Sequence, residues 1–510
     1  MQNRKSRRQS LLGAGVLSVI GATWGAVLAL ITIPMLVHGL GLAAYGVFSL
    51  AFSIAGFGSY LDFGLSWTIS KFVAEADAQG DQPLLAAIVR SALLYNTLLG
   101  AVFVTVVFFS ASWIAHSLLR FSSREAPLMA QVLRLAAVSF LLSSIAGVLV
   151  SSLRGLRRFT TATLIQSSSM TVSLVGAAFA ARFGRGVLVA TTLQLAGAAF
   201  GLVCASWTSR EFWWDSTPRI RVATQLRTML GFSAWSYMIR LIQMIAMQMD
   251  KVLVGRLVGP AFLPFYTVPY NIGQKIGFVG GPAVTAIYPT AAAGQYAQDS
   301  FMKQYSSASR LVHMVTGALA IAVILWADRF LGAWIGPEMA RQGAFSLRVF
   351  AIGFWLVSVG SVDGGCIEGW NHPRVTFAIS AVSISVAVAL AIVISPLVGT
   401  IHAIALGVGG YLSFAGIGQI VLWHRISKYP GGEFFRHIAL PVLEMIVLGF
   451  ALVSVLGRTL HARLLVLSTL PALAAILVLW GIFRSFGREE HRTMLARIAS
   501  FFGVKIWTTQ

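Results

Sequence analysis

Between Arg8 and Asp62 the chain contains no aspartate, glutamate, lysine or arginine. An uncharged run of about fifty residues has the length of two membrane-spanning helices, because each needs about 20 apolar residues. The rest of the chain is similar, since 57% of its 510 residues are hydrophobic and only 11% are charged, whereas about a quarter of a soluble domain is charged. The sequence therefore predicts an all-α protein that crosses the membrane many times.

Apolar windows separated by glycine, proline and charge predict about fourteen transmembrane helices. They lie near residues 11–36, 44–65, 88–111, 132–152, 160–181, 187–207, 229–250, 260–292, 311–327, 344–366, 375–397, 400–422, 437–457 and 464–483. The eighth window is too long for one straight helix and contains Pro264, Pro269, Pro282 and Pro289. We therefore expect this helix to be kinked or broken.

A weak internal repeat divides these helices into two sets. A Leu-Val pair, a glycine and a tyrosine occur at 36–37, Gly41 and Tyr45, and recur in the same order at 253–254, Gly259 and Tyr266. An offset of six helices leaves both copies in the same orientation, as in transporters made of two parallel half-repeats around a central cavity. We expect six-helix lobes at 1–225 and 226–430, two additional helices at 431–485, and a cytoplasmic amphipathic basic tail at 486–510.

The formal net charge of +21 arises from 38 lysines and arginines against 17 acidic residues. In a membrane protein such an excess collects in cytoplasmic loops beside anionic headgroups, so it requires no nucleic-acid partner. Placing both termini in the cytoplasm puts roughly two dozen basic residues on the inner side and about a dozen on the outer side. We therefore expect both termini in the cytoplasm.

Several protein classes are excluded by what the sequence lacks. No predicted loop exceeds about twenty residues, which leaves no room between the helices for a nucleotide-binding or catalytic domain. Cys204 and Cys366 lack the spacing of a metal or disulfide motif. His313 is expected to be a packed or interfacial residue rather than a ligand. We expect no cofactor, no metal and no enzymatic activity.

The seventh predicted helix carries a polar stripe at spacings of three and four residues. Its members are Ser233, Ser236, Arg240, Gln243, Met247 and Asp250. Arg240 lies about 16 Å along the helix, near the bilayer midplane. A charge at that depth needs water or a polar partner, so we expect the stripe to line a hydrated cavity that attracts anions. In the alternative, Arg240 snorkels or pairs with a carboxylate of a neighbouring helix.

Lys275 is expected at a similar depth in the eighth helix. Its face includes Thr267, Asn271 and Gln274, and two tyrosines lie alongside, Tyr266 and Tyr270. With Arg240, Lys275 would form a phosphate-binding site in the cavity, and the tyrosine rings would stack on sugar faces. In the alternative, this segment is interfacial and Lys275 reaches the lipid headgroups.

Four carboxylates are candidates for ion coupling or gating: Asp62, Asp250, Asp363 and Glu368. A transporter driven by an H⁺ or Na⁺ gradient needs a titratable or cation-binding carboxylate that is reachable from both sides. Helix capping or interfacial solvation is an equal alternative for Asp62, and for Asp250 we favour a local ion pair with Lys251. Glu444 lies apart, in the thirteenth helix. The sequence does not choose among these carboxylates.

Arg154, Arg157 and Arg158 crowd the short loop after the fourth predicted helix. Such a cluster usually sets membrane orientation. It could also collect an anionic headgroup at the cytoplasmic mouth of the cavity.

The first helical pair reads PMLVHGLGLAAYGVFSLAFSIAGFGSYLDFGL, and it resembles the bacterial polysaccharide flippases that move lipid-linked O-antigen or exopolysaccharide repeat units. The motif residues in order are Pro34, Leu40 with Gly41, Tyr45 with Gly46, and Asp62 to Leu65. Two further stretches, MDKVLVGRLVGPAFLPFYTVPYNI and GCIEGWNHPRV, resemble the seventh-to-eighth helix region and the end of the tenth helix in that family. The spacing from Gly259 to Tyr266 departs from the family pattern, because Pro260 and Pro264 lengthen it.

The resemblance implies the fold of the multidrug, oligosaccharidyl-lipid and polysaccharide exporters, with two six-helix lobes and two additional C-terminal helices. It implies a flippase of the bacterial inner membrane that moves a polyprenyl-pyrophosphate-linked oligosaccharide to the outer leaflet, beside membrane lipids and the polysaccharide polymerase and export machinery. The alternatives are an ion-coupled multidrug exporter of the same fold and a membrane-embedded glycan-assembly enzyme or scaffold. Positive charge at the midplane argues against a binding site for cationic drugs.

Overall fold

The computed structural model describes residues 24–60, 65–123, 125–213, 248–278, 280–281, 298–370, 372–428, 430–459 and 463–486. Helix is the only regular secondary structure within these ranges. Ten of the described helices are long and apolar enough to cross a membrane, and two shorter apolar helices precede them. The prediction of an all-α protein with many spans is confirmed.

The described chain divides into two compact units, Met1–Thr267 and Val268–Gln510. In the first unit the helices are α1 (Trp24–Leu40), α2 (Leu42–Gly56), α3 (Leu65–Gln79), α4 (Gln82–Trp113), α5 (Ala126–Gly155), α6 (Phe159–Arg182), α7 (Gly186–Trp213) and α8 (248–257). A 3₁₀ turn, Phe57–Tyr60, extends α2, and a π-helical turn, Ile114–Leu118, extends α4.

The second unit begins within α9 and contains the remaining described helices. After α9 (Pro264–Gly277), which contains the boundary between the units, come α10 (Gln298–Trp334), α11 (Pro337–Gly369), α12 (Pro373–Val398), α13 (Thr400–Ser427), α14 (Gly431–Phe434), α15 (Leu440–Thr459) and α16 (Arg463–Ser485). A π-helical turn, Phe435–Ala439, joins α14 to α15.

Helix α3 occupies residues between two predicted spans, 44–65 and 88–111. Its apolar residues recur every three to four positions, and Ile69, Val73 and Ala76 are completely buried against α4 and α5. The remaining positions include acidic and amide side chains, so an average over a long apolar window is too low to detect this helix. Periodicity rather than mean hydropathy identifies α3.

The start of α4 follows from local chemistry. Gly80 adopts φ +71°, a left-handed conformation that glycine tolerates. Asp81 then caps the helix, since its side chain accepts a hydrogen bond from the Leu84 backbone N–H at 2.9 Å.

The structure describes only the first part of the predicted eighth helix, because Pro282 and Pro289 lie outside the described residues, and Pro269 lies within a continuous helix. Residues 258–263 form a turn in which Gly259 has φ +103°, α9 begins at Pro264 rather than 260, and it ends at Gly277. A Cβ at Gly46 of α2 would lie 1.9 Å from the Pro260 carbonyl oxygen. Only glycine therefore allows α2 to approach this turn so closely.

In the second unit, α11 and α13 pack through facing glycines. A Cβ at Gly360 would lie 2.5 Å from the Gly416 carbonyl oxygen, and one at Gly353 would lie 3.0 Å from that of Gly409. Small residues let helix backbones approach closely, which is the main source of packing energy between helices in a membrane.

The two C-terminal helices pack on α10. Met314, Ala318 and Ala322 of α10 share one core with residues of α15 and α16, including Met445 and Leu477. Trp326 Nε1 also donates a hydrogen bond to the Val466 carbonyl oxygen at 3.0 Å. These contacts make α15 and α16 an integral part of the second unit.

The order of the helices repeats along the chain. Gln298, the first described residue of α10, lies 216 residues after Gln82, where α4 begins, and this step is called the helix-start offset. The same step relates the ends of α6 and α12, at Arg182 and Val398. The helix-end offset is the step of 214 residues from the end of α5 at Gly155 to the end of α11 at Gly369, and it also relates the beginnings of α7 and α13, at Gly186 and Thr400.

Both offsets are close to the separations of the sequence motifs, which are the steps from Gly41 to Gly259 and from Tyr45 to Tyr266. The helices therefore recur as the sequence repeat predicts. The lobe boundaries themselves stay predictions, and the basic tail lies outside the described residues.

Candidate functional site

Four of the predicted site residues lie outside the described ranges. They are Asp62, Ser236, Arg240 and Gln243. Their assignment to a cavity or to ion coupling stays a prediction.

The polar face of α9 is described. Lys275 is exposed, Asn271 and Gln274 are half-buried, and Thr267 is buried. The Lys275 ammonium nitrogen lies 5.3 Å from the centre of the Phe278 ring, a cation–π contact. The ammonium group is thus accessible to an anionic ligand, while its role in substrate binding stays a prediction.

The two tyrosines of α9 pack inward. The Tyr270 ring makes edge-to-face contacts with Phe350 and Phe354, with ring centres 5.4 Å and 5.3 Å away. Tyr266 is completely buried. Neither ring presents an open face, and the assignment of these tyrosines to stacking on sugars stays a prediction.

Tyr266 instead completes a buried ion pair. Its hydroxyl donates to Asp250 Oδ2 at 2.7 Å, and the Lys251 ammonium lies 3.3 Å from Asp250 Oδ1. The predicted local pair between Asp250 and Lys251 is present, and both side chains are buried. Each carboxylate oxygen has a partner, which offsets the cost of burying the charge and fixes α8 against α9.

Asp363 of α11 has a different environment, because one of its oxygens is unpartnered. The Tyr305 hydroxyl of α10 donates to Asp363 Oδ1 at 2.6 Å. Asp363 is 1% exposed, and its Oδ2 has no hydrogen-bond partner among the described residues. A buried oxygen without a partner is costly, so such atoms mark functional positions more often than structural ones.

Further polar atoms surround this carboxylate. The Gln419 amide of α13 packs against Gly364, where a Cβ would lie 3.0 Å from the Gln419 Oε1 atom, and that oxygen also lacks a hydrogen-bond partner within the described chain. The rings of Phe301 and Trp423 adjoin Tyr305, and Trp370 packs against both of those rings. We call Tyr305, Asp363, Gln419 and Trp423 the α10–α11–α13 polar cluster.

The first unit has apolar residues at the positions equivalent to Tyr305, Asp363 and Gln419. The helix-start offset relates Tyr305 to Val89, and the helix-end offset relates Asp363 to Leu149 and Gln419 to Ala205. All three of those first-unit residues lie in one apolar core. Polar side chains therefore stand in the second unit where the first unit has apolar ones, although packing alone does not require them.

The remaining carboxylates are placed as follows. Glu368 is half-buried, five residues after Asp363 on α11. Glu444 of α15 accepts two hydrogen bonds from Arg484 of α16, at 2.6 Å and 2.7 Å. This bidentate pair joins the two C-terminal helices and gives Glu444 a structural role.

The predicted arginine cluster lies in the exposed turn between α5 and α6. Arg154 donates to Gln166 Oε1 at 2.7 Å, and the Arg158 guanidinium lies 3.7 Å from Glu211. Arg157 has a positive φ of 60° at the turn. The turn brings the three charges together at the surface, as a headgroup-collecting role would require, but that role stays a prediction.

His313 is packed, as predicted. Its ring is buried, lies edge-on to Phe434, and has Nδ1 2.8 Å from the Ser309 carbonyl oxygen.

Sequence reasoning singled out Asp363 but missed Tyr305, Gln419 and Trp423. These residues belong to other helices and are distant from Asp363 in the chain, so no local spacing connects them. The signal that could have found them is the repeat, because it aligns each with a small or apolar residue of the first half.

Comparison with protein families matches residues 12–295, more than half of the chain, to the family described as polysaccharide biosynthesis protein. Among curated proteins, a "Putative O-antigen transporter" of Shigella flexneri is 20% identical over 374 residues, which are 72% of this chain and 87% of that protein.

Two solved structures are similar over most of this chain. The lipid II flippase MurJ in an inward closed conformation matches with a TM-score of 0.64 at 14% identity, covering 96% of this chain and 100% of that chain. An inward-facing multidrug resistance transporter of the MATE family and MOP superfamily matches with a TM-score of 0.63 at 15% identity, covering 80% of this chain and 98% of that chain. The fold implied by the sequence resemblance is confirmed.

Proposed function

The chain belongs to the polysaccharide biosynthesis protein family, and on this basis we propose that it is a flippase for a polyprenyl-pyrophosphate-linked oligosaccharide repeat unit. The proposed direction is from the inner to the outer leaflet of a bacterial inner membrane, with both termini in the cytoplasm. The polysaccharide polymerase and export machinery are the proposed partners. The Shigella flexneri relative supports a cargo used in surface polysaccharide synthesis.

The extent of the fold match carries this proposal. The lipid II flippase aligns with 96% of this chain, whereas the multidrug transporter aligns with 80%. Helices α15 and α16, packed on α10, add length that the shorter fold does not require. The difference favours a lipid-linked cargo over the multidrug exporter, which is the second candidate function.

Cationic side chains are the proposed means of accepting the pyrophosphate. Its charge cannot enter hydrocarbon unaided, so a hydrated cavity with fixed positive charge would offset the desolvation cost. Arg240, Gln243, Ser236 and the exposed Lys275 face are assigned to this role, with Arg154, Arg157 and Arg158 collecting the headgroup first. The polyprenyl tail would stay in lipid while one lobe rocks against the other.

Asp363 is the proposed site of coupling to an H⁺ or Na⁺ gradient. It is the described carboxylate that combines near-complete burial with an unpartnered oxygen. A carboxylate in that state favours binding a proton or cation when a path to water opens. Asp250 is already neutralised by Lys251 and Tyr266, so it is a poorer candidate.

The decisive test replaces both cavity cations, as Arg240→Gln with Lys275→Gln. We expect transport to fall at least tenfold, because each charge-assisted contact to phosphate is worth about 1.5–3 kcal/mol and about 1.4 kcal/mol is a factor of ten. The measurement is the accumulation of lipid-linked repeat units on the cytoplasmic leaflet, together with loss of surface polysaccharide.

Arg256→Gln with Lys428→Gln is the matched control, since it removes the same two charges from the exposed ends of α8 and α13. Undiminished export by the cavity variant at equal expression would refute the cationic mechanism. Loss of export in both variants would show that total charge, not the cavity, matters.

A further inference from the structure

An arginine makes the same interhelical contact in both units. Arg134 Nε of α5 donates to the Phe108 carbonyl oxygen of α4 at 3.1 Å. Arg348 Nε of α11 donates to the Ile324 carbonyl oxygen of α10 at 3.2 Å. The helix-end offset relates the two arginines, and the helix-start offset relates their two acceptors.

The two arginines differ in the partner of their second donor group. Arg348 binds the carboxylate of Asp328, which neutralises it. Arg134 meets only the hydroxyl of Ser112 at 3.4 Å, and in the described part of the chain no carboxylate lies within ion-pair distance of it. The Arg134 guanidinium, 4.9 Å from the centre of the Phe108 ring, therefore has no carboxylate counter-ion among the described residues.

The helix face beside this arginine also differs between the units. On α4, large side chains form an exposed stripe at helical spacing, with 59–80% of each exposed: Leu98, Val102, Val106, Phe109 and Trp113. The equivalent residues of α10 include Met314, Ala318 and Ala322, which are buried under α15 and α16. Small residues mark helix–helix contacts in membranes, whereas large aliphatic and aromatic ones suit acyl chains.

The depth of Arg134 suits a lipid headgroup. The 30 residues of α5 span about 45 Å, which exceeds the hydrocarbon thickness of about 30 Å by roughly 7 Å at each end. Arg134 lies eight residues, or about 12 Å, from the start of α5. Its Cα is thus about 5 Å inside the apolar layer, and its side chain is long enough to reach the phosphate plane.

From these observations we infer that α4 and α5 of the first unit bind a phospholipid. Its phosphate contacts Arg134 and Ser112, and one acyl chain lies along the exposed stripe of α4. Charge complementarity selects the phosphate, and the large apolar side chains select the chain. The second unit lacks this site, because Arg348 is already ion-paired with Asp328 and the equivalent face of α10 is covered by α15 and α16. The inference does not rest on the proposed transport activity.

The test is Ser112→Asp, which places a carboxylate at the first-unit position equivalent to Asp328. Native mass spectrometry of the full-length protein measures binding of dioleoyl phosphatidic acid, with dioleoylglycerol as the same lipid without phosphate. We expect phosphatidic acid to bind about tenfold more weakly to S112D than to wild type, because the new carboxylate forms an ion pair with the Arg134 guanidinium. Ser112→Ala removes only the hydroxyl contact, so it should weaken binding less than S112D does.

Ser117→Asp is the control, because it adds the same charge on the π-helical turn. It should bind phosphatidic acid as wild type does. Arg134→Gln provides an independent test should S112D not fold. Equal binding of phosphatidic acid to S112D, R134Q and wild type would overturn the inference. So would equal binding of dioleoylglycerol and phosphatidic acid to wild type, since the phosphate would then contribute nothing.

Discussion

At the scale of single residues, function depends on where burial and polarity conflict. Asp250 resolves that conflict through Lys251 and Tyr266, whereas Asp363 leaves one oxygen unpartnered among the described residues. The sequence could predict the first pair, because its charges are adjacent in the chain. It could not predict Tyr305 beside Asp363, since that contact depends on how α10 packs against α11.

Asp363→Asn should abolish the dependence of transport on an ion gradient and leave folding intact. Asparagine can still accept the hydrogen bond from Tyr305, but it cannot take up a proton or balance a cation. Gradient-driven transport of lipid-linked glycan in proteoliposomes measures the effect. Glu444→Gln is the matched control, because it neutralises a carboxylate whose partner is Arg484.

The first unit supplies a second test of the same cluster. Asp363→Leu with Tyr305→Phe makes this site apolar, as it is at Leu149 and Val89 of the first unit, without leaving a large cavity. This pair should keep its melting temperature, whereas Asp363→Leu alone removes the acceptor of the Tyr305 hydrogen bond at a cost of about 1–3 kcal/mol. Retained gradient dependence in a stable double variant would exclude Asp363 from coupling.

At the scale of helices, long apolar windows predicted the spans well because a helix that crosses hydrocarbon must be apolar along most of its length. They failed where the polar ends of helices pack on protein. Helix α10 already includes Gln298, well before the predicted start near 311, and α3 was absent from the predicted spans. In both places amphipathic turns extend beyond the apolar layer.

Gly46→Ala should destabilise the first unit. Its Cβ would lie 1.9 Å from the Pro260 carbonyl oxygen, so α2 or the turn at 258–263 must shift, which typically costs about 1–3 kcal/mol. Thermal unfolding in detergent measures the loss. Gly56→Ala on the same helix is the control, because its Cβ would meet the Gln248 amide at an ordinary 3.5 Å. Equal melting temperatures for both variants would contradict this account of the contact.

At the scale of the whole molecule, the weak sequence repeat pointed to the recurrence that the helices display. The repeated tyrosine, glycine and Leu-Val pair predicted an offset of six helices between the two copies. The helix-start and helix-end offsets are close to the separation of those motifs. What the repeat could not predict was the divergence between the copies, because only the packed structure shows which equivalent positions are buried.

The proposed orientation predicts which turns face each side of the membrane. In a variant lacking Cys204 and Cys366, a cysteine at Arg185 should react with a membrane-impermeant maleimide added to intact spheroplasts. Cysteines at Gln79 and His372 should react only after the membrane is opened, because the basic turns are expected inside. The opposite pattern would reverse the topology and the proposed direction of transport.

The small difference between the two offsets has a consequence for how the chain can be altered. Arg134 follows its acceptor Phe108 by 26 residues, whereas Arg348 follows Ile324 by 24, so the second copy is shorter between these positions. The corresponding connection in the first copy is Leu119–Glu125. The hydrogen bond from the arginine to a carbonyl oxygen of the preceding helix is present in both copies despite this difference in length. Length variation is therefore absorbed between the helices while their register is preserved, which makes this connection the natural place in the first half for an inserted epitope tag.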